Sequence, residues 1–215
     1  MSAAHLLSAQ LLAISPGCQA LLLPILADEP TLRTGLPLTQ PELDDLALIR
    51  HPAQRTEWLA CRVAVRQLVE QLGGVYAGLY KDEYGKPHLR NLPWSISLSH
   101  TTGWAAAVVH QSRPVGIDIE PIRDQFQRVV PRTLSADEIA HAAGIPARLA
   151  VYWCAKESLY KLYGKRQLTF REHLLIDPFD DGATQLIGHV RLPAHTETLT
   201  ICCFPIGPGL LAVAY

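Results

Sequence analysis

The segment VGIDIEP at residues 115–121 decides how this chain is interpreted. Its apolar and polar residues alternate, which predicts a β-strand, and Pro121 ends that strand. Because side chains alternate between the two faces of a strand, Asp118 and Glu120 project from the same face. Two neighbouring carboxylates repel each other, so they are either solvated or neutralised by a cation. Hard oxygen ligands of this kind suit Mg²⁺ or Mn²⁺, and a solvated strand end is the alternative.

A long helix, predicted over residues 147–164 and stopped by Gly164, carries a second charged group. Its segment WCAKESLYK at 153–161 places Glu157 and Lys161 four residues apart, so they share one helix face. An ordinary surface ion pair is the alternative, but the Trp, Cys, Leu and Tyr around the pair are too apolar for a simple solvated face. A third carboxylate near the strand would complete a metal site. The adjacent lysines, Lys156 and Lys161, would neutralise the charge of a phosphate ligand.

Further elements are predicted on both sides of these two. They are short strands and turns over 1–50 with a helical turn at 41–48, a helix over 54–72, a turn over 82–87, a hairpin of strands 95–100 and 104–110, a capped helix start at Ser135 and Glu138, and a last strand pair at 199–204 and 209–215.

The chain contains a weak internal repeat. A shift of 95 residues lays Trp58 on Trp153 and Arg62 on Glu157, and a shift of 105 residues lays the first hairpin on the last strand pair. Two related α+β lobes would explain this, and chance similarity between amphipathic helices and hairpins is the alternative. A site between two such lobes would draw polar groups from both, as pockets at domain interfaces do.

Composition excludes several classes of protein. The 215 residues include 19 basic and 20 acidic ones, so the dominant basic footprint of a protein that binds duplex nucleic acid is absent, and a local basic patch is the alternative. The apolar run from Ala20 to Ala27 is interrupted by Pro24 and is shorter than the ~20 residues that span a bilayer. The chain has no basic residue before Arg33, which is unlike a secretory signal, and its five cysteines lack a CxxC pair. We therefore expect a cytoplasmic protein with no membrane or nucleic-acid partner.

The two central motifs together resemble the paired signatures of the 4′-phosphopantetheinyl transferase superfamily. Three more segments resemble motifs of that family in the right order: YGKPHL at 84–89, SLSHTTGW at 97–104, and residues 123–138, which end in LSADE. Any one motif is weak evidence, but five in order over about residues 54–165 are strong. The length and the internal repeat resemble the two-lobed surfactin-type subgroup.

This resemblance implies an α+β fold of two structurally similar α/β lobes, residues 1–113 and 114–215, that form one compact unit with the site between them. It also implies a Mg²⁺-dependent monomer, with Mn²⁺ as an alternative metal. The implied enzyme transfers phosphopantetheine from coenzyme A to a serine of an apo acyl or peptidyl carrier protein and releases 3′,5′-ADP. The sequence does not select among fatty-acid, polyketide and nonribosomal-peptide carriers.

The resemblance also assigns roles to individual residues. The implied metal ligands are Asp118, Glu120 and Glu157, and the implied catalytic residues are Glu157, Lys161 and Asp118, with Glu157 as the candidate base. The implied coenzyme A contacts are Lys86, Ser99, His100, Lys156 and Lys161, and the 3′-phosphate would be bound by Arg55 or, next, Arg62. A solvated helix arginine is the alternative for each of these two.

A carrier protein presents an acidic helix, and a basic lip after the carboxylate strand would attract it. We expect this lip to consist of Arg123, Arg128 and Arg132, with Phe126, Val129 and Val130 as its apolar part. Two other functions stay open: a catalytically silent paralogue that binds coenzyme A or a carrier protein, and a Mg²⁺-dependent hydrolase of a nucleotide pyrophosphate.

Overall fold

A computed structural model describes residues 9–122, 124–207 and 209–215. The chain divides into two compact units, Met1–Pro114 and Val115–Tyr215. Each unit has its own hydrophobic core, built around one long helix and one antiparallel sheet.

The first unit consists, in chain order, of β1 (Gln10–Ser15), β2 (Cys18–Pro24), α1 (Glu29–Arg33), α2 (Gln40–Leu48), α3 (Pro52–Gln71), β3 (Leu79–Lys81), β4 (Pro87–Leu89), β5 (Ser95–Thr101) and β6 (Trp104–His110). The main sheet has the order β1-β2-β6-β5, and β3 pairs with β4 in a separate hairpin. α3 begins at a proline, where the missing N–H has no intrahelical partner. Its apolar stripe, which includes Leu59, Val65 and Leu68, is fully buried in the core of this unit.

The second unit consists of β7 (Gly116–Pro121), a 3₁₀ helix (Asp124–Arg128), α4 (Val130–Thr133), α5 (Ala136–Ala142), α6 (Pro146–Tyr163), α7 (Phe170–His173), β8 (Leu174–Ile176), β9 (Gln185–Arg191), β10 (Thr196–Ile206) and β11 (Gly209–Ala214). Its sheet has the order β7-β11-β10-β9-β8. Asp118 lies opposite Ala212 and Glu120 lies opposite Leu210 in the pairing of β7 with β11.

The two units share a run of elements. In each, a strand before the long helix (β2 or β7) pairs with the last strand of the unit (β6 or β11), which also pairs with the strand before it. This common order of strand, helix and hairpin supports the internal repeat. The predicted mixed α/β fold is confirmed.

Most predicted elements are present with ends within about three residues of the expected ones. The capping box of Ser135 and Glu138 is formed, and Gly164 ends α6 in the left-handed conformation that favours glycine. The strands β8 and β9 were not predicted. Gly188 lies within β9 and interrupts the apolar pattern, but a Cβ there would approach Ile201 and Leu159, so close packing explains the glycine.

Among the described residues, no helix is both long enough and apolar enough to cross a membrane.

Candidate active site

A glycine brings the long helix of the second unit against the carboxylate strand. A Cβ on Gly116 would lie 1.9 Å from the carbonyl oxygen of Ser158 and 2.5 Å from the backbone nitrogen of Leu162. Only a residue without a side chain permits this approach. The approach brings the second half of α6 beside β7, two residues before Asp118.

Asp118 and Lys161 form an ion pair at this contact. The Lys161 ammonium donates to Asp118 Oδ1 at 2.7 Å, and the carboxylate is 4% exposed. Burial favours a neutral amine, but the neighbouring carboxylates of Asp118 and Glu157 outweigh it and raise the pKa of Lys161. The lysine therefore stays a cation, and its side chain is still 28% exposed.

Glu157 is half-buried on the same helix face as Lys161. Burial and the negative charge of Asp118 raise the pKa of Glu157 to about 7, while Lys161 opposes the shift. A carboxyl group with this pKa can exchange a proton near neutral pH. The repulsion from Asp118 and Glu120 would be relieved by a bound cation, so the position suits either role.

Glu120 is held by an aromatic side chain. The indole N–H of Trp153 donates to Glu120 Oε1 at 3.0 Å, and the indole ring lies nearly parallel to the ring of Phe170, with centroids 6.0 Å apart. The sequence motifs do not indicate a function for Trp153, and Phe170 lies in the segment after Gly164, where the sequence pattern predicts no element.

The donor chemistry of this cluster fits Mg²⁺, since Asp118, Glu120 and Glu157 offer the hard oxygen atoms that this ion prefers. Within residues 9–122, 124–207 and 209–215, however, no group of three His, Cys, Asp or Glu side chains is arranged to hold a metal ion. Lys161 binds Asp118 and Trp153 binds Glu120 instead.

Lys156 contradicts its predicted role. Its side chain is fully buried, and its ammonium donates to Glu138 Oε2 at 2.5 Å and to the carbonyl oxygens of Thr133 and Phe170 at 2.7 and 3.1 Å. Among the described residues these acceptors account for all three ammonium hydrogens. The prediction that Lys156 contacts the pyrophosphate is therefore wrong in this structure, because its charged end is enclosed by protein.

Arg62 and Arg55, predicted to bind the 3′-phosphate, are also engaged within the protein. Arg62 is buried, donates to Glu42 at 2.9 Å and lies over the Trp58 ring. Arg55 donates to both oxygens of Glu29, at 2.7 and 2.5 Å, and to a carbonyl oxygen of α2 at 2.6 Å. Arg62 is enclosed by protein, which contradicts its assignment. The Arg55 side chain is 24% exposed, so its contact with the 3′-phosphate stays a prediction, although Glu29 and α2 already occupy several of its donors.

The other predicted coenzyme A contacts lie in the first unit. Ser99 is buried near the end of β5, and the next residue, His100, has an exposed side chain whose Nδ1 lies 3.2 Å from Glu57. Lys86 is half-buried in the turn between β3 and β4, and burial lowers its pKa. Their role as ligand contacts stays a prediction.

The predicted basic lip is only partly supported. Arg128 and Arg132 are exposed, whereas Arg123 lies outside the described residues. Phe126 is 5% exposed and packs 6.1 Å from the Trp153 ring, so its predicted availability to a partner is wrong. The ring belongs to the core of the second unit.

Two family models match this chain. One, described as the 4′-phosphopantetheinyl transferase superfamily, matches residues 114–202, and the other, described as the 4′-phosphopantetheinyl transferase N-terminal domain, matches residues 47–110. The chain belongs to this superfamily, as its motifs predict. The presence of both matches supports the surfactin-type subgroup.

Similar proteins carry the same description. The chain is 32% identical over 131 residues to the 4′-phosphopantetheinyl transferase psf-1 of Bacillus pumilus. The aligned residues cover 58% of this chain and 54% of that protein. It is 35% identical over 89 residues to a 4′-phosphopantetheinyl transferase of Bacillus subtilis, and that alignment covers 39% of each chain. It is 27% identical over 133 residues to the 4′-phosphopantetheinyl transferase ffp of Bacillus subtilis, and that alignment covers 59% of this chain and 57% of that protein. The chain thus spans about half the length, or less, of these relatives.

Proposed function

We propose that this protein transfers 4′-phosphopantetheine from coenzyme A to a serine of an apo acyl or peptidyl carrier protein, releasing 3′,5′-ADP and the holo carrier. The observation that carries the proposal is the cluster of Asp118, Glu157 and Lys161 on β7 and α6, where a buried carboxylate orients a partly exposed cation. Family membership and the names of the relatives support the same activity.

The proposed reaction displaces one phosphate of a pyrophosphate. The serine oxygen forms a bond to the phosphorus that bears the pantetheine arm, the bond from that phosphorus to the bridging oxygen breaks, and 3′,5′-ADP leaves with the electron pair. Lys161 is a cation that stabilises the negative charge developing on the leaving phosphate. Asp118 holds the ammonium in place through its 2.7 Å contact.

Glu157 is the proposed acceptor of the serine proton, directly or through water. Its pKa of about 7 lets it accept that proton near neutral pH. Asp118, Glu120 and Glu157 are the proposed ligands of Mg²⁺, which would polarise the phosphate oxygens when bound. A carboxylate bound to a metal is a poor base, so the two roles of Glu157 compete.

Intact-mass spectrometry of an apo carrier protein tests the proposal. With coenzyme A and Mg²⁺, the carrier is expected to gain about 340 Da, one phosphopantetheine, and EDTA is expected to abolish the gain. Release of 3′,5′-ADP in the absence of any carrier would favour the pyrophosphate hydrolase. Binding of coenzyme A with no mass gain across several unrelated carriers would favour the silent paralogue.

The proposal retains three further predictions from the sequence. The two lobes are residues 1–113 and 114–215, the protein is a monomer, and it acts in the cytoplasm on carriers of fatty-acid, polyketide or nonribosomal-peptide synthesis. Size-exclusion chromatography with light scattering would test the monomer.

A further inference from the structure

We propose that Lys156 is a positioning residue that acts through Phe170 and Trp153 to set the orientation of Glu120. This inference rests on the proposed function and deepens it. It gives a role to a buried lysine that stands directly beside Glu157 in the chain.

The buried ammonium joins several separate segments. Besides Glu138, Lys156 binds the carbonyl oxygen of Thr133, the last residue of α4, and the carbonyl oxygen of Phe170, the first residue of α7. The two carbonyl groups come from helices of only four residues each. The lysine therefore fixes the end of α4 and the start of α7 against α6.

Glu138 makes this attachment rigid. Its Oε2 accepts from the backbone N–H of Ser135 at 2.7 Å, and its Oε1 accepts from the backbone N–H of Ile176 at 2.9 Å. The carboxylate is 3% exposed, so every one of these hydrogen bonds is shielded from water. Lys156 is consequently bound to a carboxylate whose own position is fixed by α5 and β8.

Phe170 carries this fixed position to the aromatic side chains of α6. Its ring lies between those of Trp153 and Tyr160, with centroid distances of 6.0 and 5.3 Å. Offset aromatic pairs at such distances have preferred orientations. Moving the start of α7 would therefore change the surface on which the Trp153 indole rests.

The indole completes the path to the carboxylate strand. Its N–H donates to Glu120 Oε1 at 3.0 Å, and a hydrogen bond to a charged oxygen is strongly directional. If the indole ring moved, the Glu120 carboxylate would take a different orientation beside Asp118 and Glu157. The path from Lys156 to Glu120 thus consists of a carbonyl hydrogen bond, an aromatic contact and an indole hydrogen bond.

The test combines ¹⁹F NMR with kinetics in a double-mutant cycle. The protein is labelled with 5-fluorotryptophan, its four tryptophan signals are compared, and Trp153→Phe assigns one of them. Lys156→Met is expected to shift the Trp153 signal and to leave the other three in place. It is also expected to lower kcat about tenfold with the KM for coenzyme A unchanged, the size of one lost hydrogen bond to a charged group.

The cycle separates positioning from a general structural role. Because Lys156→Met acts through the indole, it is expected to lower kcat by less than about twofold when Trp153→Phe is already present. Lys165→Met, which removes an exposed lysine just after α6, is the matched control and should change neither the signal nor kcat. The proposal would be overturned if the two substitutions lowered kcat by factors that multiply in the double variant. It would also be overturned if Lys156→Met left the Trp153 signal unmoved and raised the KM for coenzyme A.

A second variant avoids the buried ion pair. Phe170→Leu leaves Lys156 and Glu138 intact, and it is expected to shift the Trp153 signal in the same way even if Lys156→Met does not fold. An unmoved signal in a folded Phe170→Leu protein would overturn the path. If the unmodified protein transfers nothing to any carrier, the proposed function fails, whereas the NMR measurement still decides whether Lys156 and Phe170 position Trp153.

Discussion

The long helices of the two units each bury one cation, and each cation is paired with a glutamate that caps another helix. Arg62 of α3 binds Glu42, the third residue of α2, at 2.9 Å. Lys156 of α6 binds Glu138, the third residue of α5, at 2.5 Å. The two ion pairs therefore occupy equivalent places in their units.

The two glutamates also make equivalent backbone contacts. Each one accepts from the N–H of its own helix cap and from the N–H of a residue in a short strand: Thr39 and Leu79 for Glu42, and Ser135 and Ile176 for Glu138. These contacts make Lys156 the counterpart of Arg62. The sequence shift of 95 residues laid Arg62 on Glu157, one position away.

The units differ at the residues that follow this common arrangement. The residue after the buried cation is Val63 in α3 and Glu157 in α6. On the strand before the helix, Leu22 lies opposite Ala106 in the first unit, whereas Asp118 lies opposite Ala212 in the second. At these two positions the first unit has apolar side chains, whereas the second unit has the carboxylates of the candidate catalytic cluster.

Breaking either buried pair has the largest expected effect on stability. Glu42→Ala and Glu138→Ala each leave a buried cation without its carboxylate, so each should lower the free energy of unfolding by about 3–5 kcal/mol. Urea unfolding measures the loss, and hydrogen exchange with mass spectrometry locates it in the first unit for one variant and in the second for the other. A loss below about 1 kcal/mol in either variant would contradict the equivalence of the pairs.

Charge reversal on the second unit tests the basic lip. Arg128→Glu with Arg132→Glu should raise the KM for the carrier about fivefold at low salt and leave coenzyme A binding unchanged, since both side chains are exposed. The matched control is Arg50→Glu, an exposed arginine of the first unit. If the affinity for coenzyme A falls together with the affinity for the carrier, the lip does not act on the carrier alone.

A substitution of Arg55 tests whether this arginine of the first unit binds the 3′-phosphate of coenzyme A. Because its guanidinium binds Glu29 and α2, Arg55→Gln should leave the ratio of the affinities for coenzyme A and 3′-dephospho-coenzyme A within about twofold. Isothermal titration calorimetry with both ligands gives this ratio. A fall in the ratio of tenfold or more would instead support the assignment of Arg55 to the 3′-phosphate.

The smallest expected effect concerns one cysteine in each long helix. Cys61 and Cys154 are buried thiols that donate to strand carbonyl oxygens at 3.5 and 3.3 Å, and burial raises the pKa of Cys154 well above its usual value. Cys61→Ser and Cys154→Ser preserve a donor, so kcat should stay within about twofold. The native protein should also react slowly with iodoacetamide, and rapid alkylation of Cys154 would contradict its burial.

Sequence periodicity predicted the long helices and the paired strands because these elements bury one regular face. It placed Asp118, Glu120 and Glu157 correctly on β7 and α6. The roles that the family resemblance implied for Lys156 and Arg62 do not fit the structure, because a charged residue within an apolar helix is equally compatible with a ligand contact and with a buried pair. The partners, Glu138 and Glu42, lie in other helices, and only the tertiary structure brings them together.

The central claim is that a small number of charged residues on β7 and α6 gives this chain its chemistry. The most direct test compares Glu157→Gln with Glu70→Gln, an exposed glutamate of α3, in the intact-mass assay with an apo carrier, coenzyme A and Mg²⁺. We expect a carrier mass gain of about 340 Da with the unmodified protein and with Glu70→Gln, and a rate at least about 100-fold lower with Glu157→Gln. Transfer by Glu157→Gln at the unmodified rate would contradict this claim.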